Sequence, residues 1–162
     1  MRISTIGLWM VFLFILRFIL HRPFGKLVPL YSRNIKDVYF LDGYSFTHIT
    51  HGLILYTIKP SWNFGLIIEM IWEIIENTSF SIAWFQDSSE LYYYRGDSIL
   101  NSSGDCICCL FGMWLCSRFL MKSKVYSILA FLALDLGTQR FYGDCLFYII
   151  FRSIQRFALL LF

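Results

Sequence analysis

Apolar runs close to the length of a bilayer core recur along the chain between short polar breaks, and this pattern predicts a series of membrane-spanning helices. The first runs from about Ile3 to Leu20 and stops at His21-Arg22-Pro23. A polar connector holding Lys26, Pro29, Arg33, Asn34, Lys36 and Asp37 leads into a second segment, about Val38 to Ile58, that is apolar only in its second half. Lys59-Pro60 closes it. A third span covers about Phe64 to Phe85, followed by a wet loop to Gly96 whose Tyr92-Tyr93-Tyr94 run suits a headgroup belt. The fourth opens at Asp97 or Ser98, either of which can cap a helix, and reaches about Phe119. Two further runs, Val125 to Gly137 and Cys145 to Phe162, follow, and the arginines in the last suit it to lying along the surface. The fold class expected is all-α, a polytopic transmembrane helix bundle of about five to six helices. It forms a single integral membrane domain over residues 1–162, with a motif core at about 38–120.

Composition supports lipid as the solvent, with 57% apolar and 20% aromatic residues against 15% charged. A multi-pass protein of the cell membrane, with the bilayer as its partner, is the expectation. The net charge of +3 is small and its Lys and Arg residues are scattered, so no basic stripe exists for nucleic acid. Four Lys or Arg residues follow the first span and three follow the fourth, on opposite sides in a simple count, so charge favours neither orientation. Cys106, Cys108, Cys109, Cys116 and Cys145 read as small buried or lipid-facing side chains. A helix carrying Cys106-x-Cys108-Cys109 cannot aim all three thiols at one ion.

Three polar stripes interrupt the apolar spans. Glu69, Glu73 and Glu76 lie at i, i+4 and i+7, within one arc of the third span, with Asn77 at its edge. Each charge at mid-bilayer costs about 2.5–3.5 kcal/mol on insertion scales, so three facing lipid would cost roughly 7–10 kcal/mol. They must face inward, where they repel one another unless protonated, paired or bound to a cation. On the second segment Tyr44, His48, His51 and Gly52 share a face, and the two imidazoles at i and i+3 can point at one site. The fourth span adds Asp97, Asn101 and Asp105 at i+4 steps, with Gly104 allowing close approach. The start of the second segment, the end of the third and the start of the fourth fall on one side of the membrane, so the stripes can meet at roughly 10–20 Å depth.

Three motifs then resemble one family. Asp42-Gly43-Tyr44-Ser45-Phe46-Thr47-His48-Ile49-Thr50-His51-Gly52 looks like the "DWYTxSHxxHG" opening of a family of small, uncharacterised alphaproteobacterial integral membrane proteins. Trp72-Glu73-Ile74-Ile75-Glu76-Asn77 resembles its "WExxEN" block, and the stretch from Tyr94 through Gly96-Asp97-Ser98 and Asn101-Ser102 to Asp105 resembles its "YxGDSxxNSxxD" block. Gly43 stands where that pattern has an aromatic residue, and Glu69 lies outside it. The resemblance implies a multi-pass topology and no particular activity.

The stripes are compatible with three functions. The first is a metal-dependent hydrolase or transferase acting on a lipid or lipid headgroup, with a divalent metal ion as cofactor. His48, His51, Glu73, Glu76 and Asp105 supply nitrogen and oxygen ligands, and carboxylates not on the ion act as base. Glu73, Glu76, Asp105, Asn77 and Asn101 are then the candidate catalytic residues, and Tyr44, Asp97 and Ser98 the candidate substrate contacts. No HExxH-type signature is present. The second is a proton- or cation-coupled transporter using the same acids. The third is a non-catalytic assembly factor whose stripes bind partner helices.

Overall fold

The computed structural model describes residues 5–31, 39–86, 93–120 and 124–142. Six α-helices account for most of them: α1 (Thr5–Phe14), α2 (Ser45–Ile58), α3 (Trp62–Glu76), α4 (Ser79–Gln86), α5 (Ile99–Leu115) and α6 (Lys124–Tyr142). Wider π-type turns extend α1 through Ile15–Ile19 and α5 through Cys116–Leu120. Two short strands, β1 (Lys26–Tyr31) and β2 (Tyr39–Leu41), pair in parallel. The last apolar run, 145–162, lies outside the described residues, as do the arginines in it.

Three expected elements take a different form. The second segment is not helical from Val38: Tyr39–Leu41 is strand, and the helix starts at Ser45. Asp42 forces that start, because its Oδ1 accepts from the backbone N–H of Tyr44 (2.8 Å) and of Ser45 (3.1 Å). The third span is two helices, divided at Asn77-Thr78. Asn77 turns its amide back onto the Glu73 carbonyl, and the Thr78 hydroxyl accepts from Ser81 N–H, starting α4. Tyr94, expected among headgroup tyrosines, is buried, whereas Tyr93 is exposed and Tyr92 lies outside the described residues.

The start of α5 shows how the chain positions the future site. All four orphan N–H groups of a first helical turn need acceptors. Here Ile99 donates to the Pro23 carbonyl, Leu100 to that of Phe24, Asn101 to the Ser98 hydroxyl and Ser102 to the Ser98 carbonyl. Ser98 is thus the cap, and the segment after α1 is sewn to it. Ser98→Ala should lower stability by about 1 kcal/mol, read as a shift in the thermal midpoint of purified protein; an unshifted midpoint would show that Pro23 and Phe24 suffice.

Packing is closest between α2 and α5. A Cβ on Gly52 would run into the Cys109 carbonyl, and one on Gly112 into the Ile49 carbonyl, so the two backbones touch at two reciprocal points. Gly104 brings α5 equally close to the Phe40 carbonyl of β2. On the other flank Phe12 and Leu16 of the first helix pack with Leu66 and Met70 of α3 and with Ile99 and Cys106 of α5. Thr57, Cys116 and Ser127 link α2, the end of α5 and α6. The four described cysteines are free thiols. Asp135 is buried, and Arg140 is exposed.

Candidate functional site

The polar faces of α2, α3 and α5 converge. His48 sits at the centre: its Nδ1 contacts Glu69 Oε1 and lies 3.4 Å from Glu73 Oε1, and its Nε2 lies 4.0 Å from Asp105 Oδ2. One helical turn on, His51 Nδ1 is 3.2 Å from the second Glu69 oxygen, so one carboxylate spans both imidazoles. The rings of His48 and His51 meet edge to face, and Trp72 abuts His51 in the same way at 6.0 Å. These side chains are withdrawn from solvent: Glu69 is 1% exposed, Glu73 0% and Asp105 3%.

Burial at that depth requires partners, and some are missing. Among the described residues, both Glu73 carboxylate oxygens and Oδ1 of Asp105 have no hydrogen-bond partner. Two imidazoles, even both protonated, cannot balance Glu69, Glu73, Glu76 and Asp105 together. A divalent cation fits this donor set. The nitrogen and oxygen atoms of His48, His51 and Glu69 lie within 4.8 Å of one another, and so do those of His48, Glu73 and Glu76. Donors about 2.1 Å from one tetrahedral ion are about 3.4 Å apart, close to the His51–Glu69 and His48–Glu73 separations.

Beside this cluster is a cavity of about 30 Å³, lined by Asp42, Tyr44, His48, Glu76, Tyr94, Asp97 and Asp105. Asp97 is held by several groups. The Tyr94 hydroxyl donates to its Oδ2 at 2.6 Å and the Asn77 amide at 3.3 Å, while its own N–H donates to Asn77 Oδ1 at 2.6 Å. Arg22 fixes the same loop by donating to the carbonyls of Arg95 and Asp97, beneath Gly96, whose φ of 80° suits glycine. Asp42 and Asp97 lie in the loops ahead of α2 and α5. Burial, and after it the nearby Asp97 carboxylate, raises Asp42 to about 7. Burial likewise raises Asp97, opposed by its bond from Tyr94 and by His48 and Arg22.

Of the residues the sequence singled out, His48, His51, Glu73, Glu76 and Asp105 come together, with Tyr44 and Asp97 at the adjoining cavity. Asn77, Ser98 and Asn101 are engaged elsewhere: Asn77 ties α3 to the Asp97 loop, Ser98 caps α5, and the Asn101 amide donates to the Phe40 carbonyl. Glu69, absent from the expected ligand set, occupies the middle of the site. Its place on the glutamate stripe was the signal. Asp42 and Tyr94 are the other additions, both carried by the recognised motifs.

An all-α assembly around a buried cluster of two histidines and several carboxylates is therefore the class that fold and site define. The chain belongs to the family described as "Protein of unknown function (DUF2585)", whose model matches residues 28–146. It is similar to the UPF0314 protein of Brucella anthropi, 33% identical over 122 residues, covering 69% of this chain and 60% of that one. It also resembles the UPF0314 proteins of Paracoccus denitrificans (31% over 103 residues, 57% and 53% covered) and Sphingopyxis alaskensis (30% over 109 residues, 61% and 58% covered). The chain thus spans between half and about 60% of the length of these relatives. No solved structure matches it. The resemblance on three motifs and the family match agree.

Proposed function

We propose that this chain is a multi-pass protein of the cell membrane, folded as a single integral domain, that holds a divalent metal ion in its interior. There it would serve as a hydrolase or transferase acting on a lipid or lipid headgroup. The observation that carries this reading is the meeting of His48 and His51 with Glu69 and Glu73 in a buried cluster whose Glu73 oxygens have no hydrogen-bond partner among the described residues.

Support for the bilayer comes from an inverted helix. On α3, Glu69 and Glu73 are buried while Ile67, Ile68, Ile71 and Ile75 are exposed. In water that arrangement loses on both faces, since about 25 cal/mol per Å² of exposed apolar area and the burial of charge both oppose it. In lipid both are favourable placements. Ile107, Phe111 and Trp114 on α5 and Val125, Tyr126 and Leu129 on α6 are also exposed. Among the described residues one helix, Ile99–Phe119, is long and apolar enough to cross by length and composition.

His48, His51, Glu69 and Glu73 would hold the ion, with Glu76 and Asp105 within reach. When bound, it would supply Lewis-acid polarisation of a phosphoryl or carbonyl oxygen. Glu76 and Asp105 line the cavity and are the groups able to take a proton from a water or hydroxyl there. Asn77 and Tyr94 hold Asp97, another residue of that lining, in place. A volume of about 30 Å³ admits about two waters or one small reacting group, leaving the bulk of a lipid outside.

Metal analysis of detergent-purified protein tests the reading. Wild type should retain about one divalent ion per chain, while His51→Ala and Glu73→Gln should retain less than about a tenth of that with helical content unchanged. Wild-type protein that takes up no divalent ion, yet moves protons or cations in liposomes, would establish the transporter reading instead.

A further inference from the structure

A divalent ion in the histidine cluster would polarise a phosphoryl or a carbonyl oxygen, so the surroundings have to choose between the two. The adjoining cavity is lined by Asp42, Glu76, Asp97 and Asp105 together with Tyr44, Tyr94 and His48. Of these, Tyr44, Glu76 and Asp97 are partly exposed and the rest are buried, so an entering group passes between two carboxylates and a phenol. No lysine or arginine of the described residues lines the cavity. Arg22, the cation on the Asp97 loop, turns its Nε and Nη2 to the carbonyls of Asp97 and Arg95.

The balance of charge follows from these neighbours. Imidazoles that ligate a metal are neutral. One dication is then surrounded by six carboxylates: Glu69, Glu73, Glu76 and Asp105 on the helices, Asp42 and Asp97 in the loops. Such a site stays negative until four of them hold protons. A phosphate ester brings further negative charge, which is repelled more strongly away from water than in it. Sites that transfer phosphoryl groups meet this problem with arginine, lysine or Mg²⁺ around the phosphate oxygens. An ester or amide carbonyl is uncharged and smaller, and a volume of about 30 Å³ accepts it.

We propose that the bond acted on here is an acyl bond, the ester or amide carbonyl of a lipid, and that the carboxylates of Asp42 and Asp97 keep phosphoryl groups out of the cavity. This assignment rests on the metal reading of the histidine cluster and narrows it. In hydrolysis, Glu76 or Asp105 takes a proton from water as the water oxygen bonds to the carbonyl carbon and the carbonyl π pair moves onto its oxygen. When that pair returns, the bond to the alcohol or amine portion breaks, and the carboxyl group gives its proton to the departing oxygen or nitrogen. The products are a carboxylic acid and an alcohol or amine, with no change of oxidation state. Asp97, held by Tyr94 and Asn77, and Asp42, held by the N–H groups of Tyr44 and Ser45, act through their charge alone.

Two probes with the same decyl chain test this on detergent-purified protein loaded with Zn²⁺, a metal suited to imidazole and carboxylate ligands. N-hydroxydecanamide arrives uncharged, and decylphosphonate arrives as an anion. The thermal midpoint is followed against probe concentration, with chelator-treated protein as the blank. Wild type should bind the hydroxamic acid at least about tenfold more tightly than the phosphonate, and neither should act in chelator. Asp42→Asn and Asp97→Asn keep oxygens able to accept the bonds that hold the native carboxylates, so circular dichroism should show both folded. Each should bind the phosphonate about tenfold more tightly than wild type does, with its affinity for the hydroxamic acid changed less than about threefold. The wild-type comparison stands by itself should either variant fail to fold. Zn²⁺-loaded wild type that prefers the phosphonate or binds neither probe, or folded Asp variants with an unchanged preference, overturns the acyl assignment and leaves the metal site standing. Protein that holds no divalent ion and responds to neither probe removes the metal site, and the acyl assignment with it.

Discussion

Replacing Gly112 or Gly52 by alanine should lower the thermal midpoint by roughly 6–12 °C or leave no folded protein to purify. The added methyl meets backbone in both cases. At Gly112 it collides with the Ile49 carbonyl and lies 2.9 Å from that carbonyl's carbon; at Gly52 it strikes the Cys109 carbonyl and lies 2.8 Å from Met113 N. Flexible side-chain ends can give way, as the Met113 thioether beside Gly65 can, but helix backbone moves only as a unit. Overpacking costs about 1–3 kcal/mol where side chains can shift, so about 3 kcal/mol is the least expected here. At roughly 2–4 °C per kcal/mol for a chain of this size, the midpoint change follows. Gly137 supplies the control. Among the described residues nothing lies within 4 Å of a Cβ there, so Gly137→Ala should be neutral or raise stability by up to about 1 kcal/mol. A midpoint for Gly112→Ala equal to that of Gly137→Ala would show that α2 and α5 do not touch as described. The consequence reaches the site, because α2 carries both histidines and α5 carries Asp105.

Much of this arrangement is legible in the sequence where periodicity carries it. Glu69, Glu73 and Glu76 share an arc of a helix, and the charge they carry predicts an inward face. The histidines follow from i, i+3 spacing, and their meeting with the glutamates is expected from the polar faces being on neighbouring segments. What the pattern hides is local polar chemistry. An apolar run from Phe64 to Phe85 gives no sign that Asn77 will spend its amide on Glu73 and Asp97 and so divide the helix. Strand pairing of Lys26–Tyr31 with Tyr39–Leu41 depends on a contact between two separate segments, which the periodicity of either one cannot supply. Tyr94 illustrates the same limit: a tyrosine run reads as an interface, but the Asp97 carboxylate three residues on draws one ring inward. Asn101 shares the stripe of Asp105 and yet bonds Phe40, because Gly104 brings β2 against that side of α5.

Glu73→Gln should reverse its effect on stability according to whether metal is present. Glu73 is fully buried, faces His48, and has neither carboxylate oxygen hydrogen-bonded among the described residues. With Glu69, Glu76 and Asp105 nearby, the metal-free site holds acids that crowd one another without enough partners. Burying an unpaired charge costs several kcal/mol per ion. Glutamine has nearly the same shape, escapes that cost, and brings an N–H₂ that can donate to neighbouring carboxylates. In chelator the variant should therefore be more stable than wild type by about 1–3 kcal/mol. Adding the metal changes the order. Wild type gains about 2.7 kcal/mol at a hundredfold excess over its dissociation constant, and the variant, having lost a ligand, gains little. The measurement is thermal unfolding of both proteins with chelator and with metal. A purely structural Glu73 would give the same difference between the proteins in both conditions, and that result would remove Glu73 from the metal site. A crossing of the two curves would mean that this carboxylate is kept at a cost in the empty protein because the ion requires it.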